Sequence, residues 1–134
     1  MPGSFFDSNV LLYAASGDAI KADRAEELMI AGGTVSTQVL NEIANVTLRK
    51  MGFSWDETRR FLFRIRGALP IVPVTVLTHE LGLDLAERYR LSIYDGMIAA
   101  AALGAGCDTL WSEDMQHGLQ INGRITIVNP FRGH

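Results

Sequence analysis

Four acidic residues stand at the ends of short apolar runs or just inside the helices that follow them. Asp7 follows Ser4-Phe5-Phe6, and Glu42 lies early in the helical stretch after Thr34-Val35-Ser36-Thr37. Asp95 opens an alanine-rich segment, and Asp114 follows Thr109-Leu110-Trp111-Ser112. Each has an ordinary structural reading, Asp7 and Asp95 as helix caps or first-turn acids and Glu42 and Asp114 as solvated acids. Gathered at one place, they would be costly: two carboxylates ~4 Å apart repel by about 1 kcal/mol in water and ~4 at an effective dielectric of 20. A hard divalent cation relieves that repulsion. Magnesium and manganese prefer oxygen ligands and retain several waters, which suits water activation and in-line attack on a phosphodiester. Around the acids, Ser8 and Ser112 are placed to hold carboxylates or waters, and Asn9 to cap its helix or orient Asp7.

The elements that would gather these acids follow from periodicity and capping. A buried strand is predicted to end at Asp7 and to be followed by a helix over the run beginning at Val10. Ala22, Ala25, Leu28 and Met29 mark a helix over Ala19–Ile30, stopped by Gly32-Gly33. A second strand at Thr34–Thr37 leads into a helix over about 38–50, buried through Val39, Leu40, Ile43 and Val46. Ser54 and Glu57 have capping-box spacing ahead of a helix over Glu57–Arg66. A third strand is expected at Ile71–Val74, with Pro73 marking an edge position. Helices over Thr78–Arg90 and Met97–Leu103, a fourth strand at Thr109–Ser112, a hairpin-type turn at Asn122-Gly123 and a last strand at Arg124–Val128 complete the reading. Alternating strands and helices predict an α/β fold, a mostly parallel sheet of about five strands with helices on both faces. In such sheets ligands bind beyond the carboxyl ends of the strands, and all four acids can converge there.

At 134 residues the chain is expected to be one domain, 1–134, able to bury a core without staples. Its 48% hydrophobic and 20% charged residues suit an ordinary globular protein. Its apolar runs are shorter than the ~20 residues of a bilayer span, and neither a membrane segment nor a signal peptide is expected. One cysteine, Cys107, excludes an internal disulfide and fits a reducing, cytoplasmic setting. A net charge of −3 argues against indiscriminate nucleic-acid binding but not against a nuclease with clustered acids. Arg59, Arg60, Arg64 and Arg66 form a basic strip with two readings, phosphate or partner contact and plain solvated surface. His79 has no second histidine or cysteine at ligand spacing and reads as structural or surface.

Two acidic α/β pockets are excluded by the residues. A phospho-receiver domain would need adjacent acids after the first strand and a lysine near the last, whereas Asp7 precedes Ser8-Asn9 and the lysines are Lys21 and Lys50. A haloacid-dehalogenase-type phosphatase would need an aspartate where Asn9 stands.

Phe6-Asp7-Ser8-Asn9-Val10-Leu11, Glu42, Leu91-Ser92-Ile93-Tyr94-Asp95 and Leu110-Trp111-Ser112-Glu113-Asp114 resemble, in order and spacing, the PIN domain. Met115-Gln116-His117-Gly118 with Ile127-Val128-Asn129-Pro130-Phe131 is similar to the ends of VapC-type toxins. The resemblance implies a three-layer sandwich and a Mg2+- or Mn2+-dependent endoribonuclease acting on structured RNA, usually dimeric and silenced by an antitoxin. It matches the family's catalytic quartet to Asp7, Glu42, Asp95 and Asp114, with Asp7, Asp95 and Asp114 holding the cation and Glu42 completing the site or helping to activate water. Glu113 either faces solvent or joins the site through water. Gly96 stands where the family more often has alanine. The acids themselves do not distinguish RNA from DNA, nor a nuclease from a non-catalytic PIN module.

Overall fold

The structure, a computed structural model, describes residues 3–132. Strand β1 (Ser4–Phe6) turns at Asp7 into helix α1 (Ser8–Leu12), extended by one 3-10 turn at Tyr13–Ala15. Helix α2 (Ala19–Ala31) is capped by the Asp18 carboxylate and stopped at Gly32, whose φ of 99° disfavours any residue with a side chain. Strand β2 (Val35–Ser36) runs straight into α3 (Thr37–Arg49), where Ser36 Oγ accepts from the Val39 amide. The Ser54–Glu57 capping box starts α4 (Trp55–Ala68), and β3 (Ile71–Val72) follows. Helix α5 (Val76–Tyr89) begins two residues ahead of the expected position because Thr75 caps it by accepting from the Thr78 amide. Then come α6 (Ile93–Gly104), β4 (Thr109–Trp111), β5 (Gln120–Ile121) and β6 (Ile125–Val128).

The main sheet has the order β1-β4-β6-β5, parallel except for the β5–β6 hairpin. Strands β2 and β3 pair in parallel as a second, two-stranded sheet. Phe6 N donates to Thr34 O at 3.0 Å and Thr34 N to Ser4 O at 2.9 Å, tying the smaller sheet to β1. Among the described residues the strands number six where about five were expected. The addition, β5, is two residues long, too short to show a period of two. Its turn was legible, since Asn122 and Gly123 both take positive φ.

Phe5 and Phe6 are both fully buried. Adjacent strand residues point to opposite faces, so β1 is covered on both sides, as the two-faced α/β reading requires. Leu110 and Ile127 from the sheet meet Ile43, Ile65 and Ile98 from α3, α4 and α6 in one hydrophobic cluster, each such side chain contributing about 1.5–3 kcal/mol by burial. Cys107 is one of these core residues, its thiol pushed up by burial.

Helix α6 reaches this core because two glycines face each other across the α5–α6 crossing. A Cβ at Gly96 would press into the Gly82 carbonyl oxygen and stand 3.0 Å from Ala86 Cβ. The departure from alanine at Gly96 thus has a local cause: with α5 this close, the larger residue does not fit.

Candidate active site

The ends of β1 and β4 lie side by side, with the Asp7 amide donating to Trp111 O at 2.9 Å. This registry places Asp7 beside Ser112 although 105 residues separate them. Asp7 is only 3% exposed. Its Oδ1 accepts from the Ser8 amide at 2.7 Å, and its Oδ2 accepts from Ser112 Oγ at 2.8 Å and Asn9 Nδ2 at 3.0 Å. Helix capping and site formation are therefore the same act here: one oxygen caps α1 and the other is held by the Ser112 hydroxyl just past β4.

Glu42 comes to the same edge from α3. Ser8 Oγ donates to its Oε1 at 2.9 Å and Gln38 Nε2 to its Oε2 at 2.8 Å. Asp95 lies in the first turn of α6, its amide donating to Ser92 Oγ at 3.0 Å. Asp114 is exposed at the rim, on the loop after β4.

The carboxylates sense one another. Burial, first, pushes Asp7 up to about 6, and the charges of Asp95 and Glu42 add to the rise against the hydrogen bond from Ser112. Asp95 is raised by burial, then by the charges of Glu42 and Asp114. The four acids singled out in the sequence thus share one electrostatic field. They surround an opening rather than a closed cage: among the described residues no three acidic, histidine or cysteine side chains are grouped so as to hold one metal ion.

Glu113 turns away from that opening. Lys21 Nζ donates to its Oε2 at 2.7 Å and Tyr13 OH to its Oε1 at 2.6 Å. Lys21 also stands 4.6 Å from the Tyr13 ring centre and 5.3 Å from that of Phe131. Both its own pKa and that of Tyr13 rise, chiefly through the bond each makes to Glu113. The Glu113 amide donates to Asn9 Oδ1 at 2.9 Å, and Asn9 in turn holds Asp7, so this ion pair buttresses the acid edge from behind. Lys21 and Tyr13 were not singled out in the sequence. Their signal, a lone lysine on a helix and an aromatic at the end of an apolar run, is common to countless surfaces. Gln38 carried a better one, four residues before Glu42 on the same helix.

The arginine strip divides in two. Arg60 pairs with Asp56 and Arg64 with Glu26, both at 2.6 Å. Arg59 and Arg66 instead line a hollow of about 600 Å3 between α3 and α4. His79 is exposed on α5. Among the described residues no helix is long and apolar enough to cross a membrane.

The PIN domain model matches residues 4–118, and the chain belongs to that family. Solved structures share the fold along nearly the whole chain. A toxin–antitoxin complex from Klebsiella pneumoniae contains a chain of TM-score 0.73 at 19% identity, covering 96% of this chain and 98% of that one. VapBC2 from Rickettsia felis, bound to a DNA fragment from its promoter, gives 0.66 at 20% identity, covering 92% and 96%. VapC20 from Mycobacterium tuberculosis, a toxin that cleaves the sarcin–ricin loop, gives 0.65 at 16% identity over 83% and 89%. At such identities the likeness extends to the fold alone. No curated protein sequence matches the chain significantly.

Proposed function

We propose that this PIN domain is a divalent-cation-dependent endoribonuclease, the toxin of a type II toxin–antitoxin pair. The observation that carries the reading is the crowding of Asp7, Glu42, Asp95 and Asp114 into one field with, among the described residues, no cationic side chain bonded to any of them, while Glu113, next to Asp114, has Lys21. The donor set is all oxygen, which fits magnesium or manganese; these ions keep waters of their own, so three carboxylates need not touch one ion directly. Asp7, Asp95 and Asp114 would hold the cation, with Ser8, Asn9 and Ser112 fixing Asp7 and Glu42 behind them. Bound there, the cation would activate water and offset charge on the phosphodiester. Glu42, its oxygens oriented by Ser8 and Gln38, is placed to draw a proton from the attacking water.

The toxin role draws on neighbours described as toxins or as toxin–antitoxin complexes. RNA as the substrate draws on the family resemblance and on the neighbour that cleaves the sarcin–ricin loop. A cytoplasmic setting goes with the RNA reading, and an antitoxin partner with the toxin reading. A homodimer is supported by exposed Val76, Leu77 and Leu83 on α5.

Sequencing RNA 5′ ends from cells briefly expressing wild type or Asp95→Asn tests the reading. Discrete new ends confined to the wild type support it, and identical profiles oppose it. The alternative is a non-catalytic PIN module binding RNA or protein, against which the mutual repulsion of four clustered acids counts. Manganese calorimetry separates the two. A nuclease loses affinity in Asp7→Asn, whereas a module is indifferent to that change.

A further inference from the structure

Gln38, Asn41, Glu42 and Asn45 fall three, four and seven residues apart along α3, and such spacing puts them on one face. With Tyr94, at the start of α6 next to Asp95, they line a hollow of about 520 Å3. Glu42 belongs to the acid centre, so the hollow opens directly from it. Its wall combines the exposed amides of Asn41 and Asn45, beside a Gln38 already bonded to Glu42, with an aromatic ring that is 66% exposed and takes no part in the core. Asn41 also lines the 600 Å3 hollow on the far side of α3, together with Arg59, Arg66 and Phe63, the last 76% exposed. The two hollows therefore meet at Asn41. Outward from the acids, a bound chain would meet an aromatic ring with amides, then two guanidiniums with a second ring.

That order of chemistry matches an unpaired nucleic-acid strand. Exposed rings stack on bases, planar amides pair with base edges, and arginines hold backbone phosphates. In a paired helix the bases are already stacked and the major groove is too narrow for side chains to read. Rings and arginines also anchor proteins; what favours a strand here is that the ring and the amides share a hollow with Glu42 of the acid centre. The basic strip sharpens the point, because Arg60 and Arg64 are committed to Asp56 and Glu26, while Arg59 and Arg66 face the hollow.

We propose that α3 carries the track for a single-stranded RNA segment flanking the cleaved bond, one base seated against Tyr94, Asn41 and Asn45 and the neighbouring phosphates held by Arg59 and Arg66. The proposal rests on the ribonuclease reading and names where its substrate lies.

The test is binding of a single-stranded RNA 12-mer containing 2-aminopurine, followed by fluorescence in EDTA, so that affinity is read without cleavage. Tyr94→Leu is expected to weaken binding about tenfold and to reduce the quenching that stacking produces. The double variant Arg59→Gln/Arg66→Gln is expected to flatten the slope of log affinity against log salt by about 1.4, which is ~0.7 for each phosphate no longer neutralised. Arg60→Gln/Arg64→Gln is the control and should leave the slope as in the wild type. All these side chains are exposed, and circular dichroism is the check that each variant folds. The proposal is overturned if Tyr94→Leu binds and quenches like the wild type, or if the two double variants show the same slope; the second result would give the α3–α4 hollow to a protein partner or to solvent. Either result leaves the ribonuclease reading intact, because that reading is decided by the RNA ends of Asp95→Asn.

Discussion

Two carboxylate environments lie side by side at the carboxyl ends of β1 and β4, and the fold treats them in opposite ways. Glu113 is neutralised from within, by Lys21 and the Tyr13 hydroxyl, with aromatic rings packed around the cation. Asp7 is buried beside Asp95 and Glu42 and is given only neutral donors: a backbone amide, an asparagine and a serine. The first arrangement is complete in itself. The second holds its geometry while leaving its charge unbalanced, and the missing positive charge has to come from a proton or an external cation. A protein that needed these acids only for stability would gain by pairing them, as it does with Glu113.

The largest expected effect follows from removing the unbalanced charge. Asp7→Asn or Asp95→Asn should lower RNA cleavage at least a hundredfold, since several kcal/mol of charge stabilisation are at stake and each 1.36 kcal/mol is tenfold in rate. Cleavage within a few-fold of wild type in single-turnover assays would erase the distinction between the two groups.

The pH dependence of stability comes next. Asp7 titrates near 6 in the folded state against 3.8 as its ordinary value, so between these the native state retains a proton that the unfolded chain has lost. Asp7 therefore lowers stability as pH rises from about 4 to 6, by up to about 3 kcal/mol, and the loss persists above pH 6. Asp95, also raised, acts in the same direction. Urea unfolding in EDTA across this range should show the decline, Asp7→Asn should flatten it, and magnesium should restore stability at pH 7. A wild-type decline that survives unchanged in Asp7→Asn would assign it to other groups.

Gly96→Ala probes how Asp95 is brought to the edge. The added methyl meets the Gly82 carbonyl, and overpacking of this kind costs about 1–3 kcal/mol. Thermal unfolding should report the loss, and an unchanged Tm would mean that α5 gives way freely.

Breaking the balanced group should matter less. Lys21→Met leaves Glu113 without its cation but keeps Asp7, Asn9 and Ser112 in place; supporting contacts of this kind typically alter metal affinity or activity by tenfold or somewhat more. A loss as large as that of Asp95→Asn would move Lys21 into the reacting centre. Smallest of all, Arg60→Gln removes an exposed helix pair and should change neither stability nor cleavage detectably.

The sequence by itself determined the local grammar of the chain. Asp7 and the Ser54–Glu57 box cap the helices that follow them because capping depends on residues within three positions of one another. Apolar period and turn chemistry were equally legible, and from them the parallel α/β architecture and the shared edge of the four acids. Strand β5 escaped because two residues carry no period. Only the tertiary structure decided which acid is compensated: Glu113 and Asp114 are neighbours in the chain, yet Glu113 is ion-paired to Lys21, 92 positions away, while Asp114 is exposed and adds its charge to the field at Asp95. It also decided that Arg64 reaches Glu26, 38 positions away, and that Arg59 and Arg66 line a hollow, whereas the Arg60–Asp56 pair has the i,i+4 spacing the sequence itself carries. Charge compensation depends on which side chains end up a few ångströms apart, and that distance is set by how helices and strands pack, over separations that local pattern does not encode.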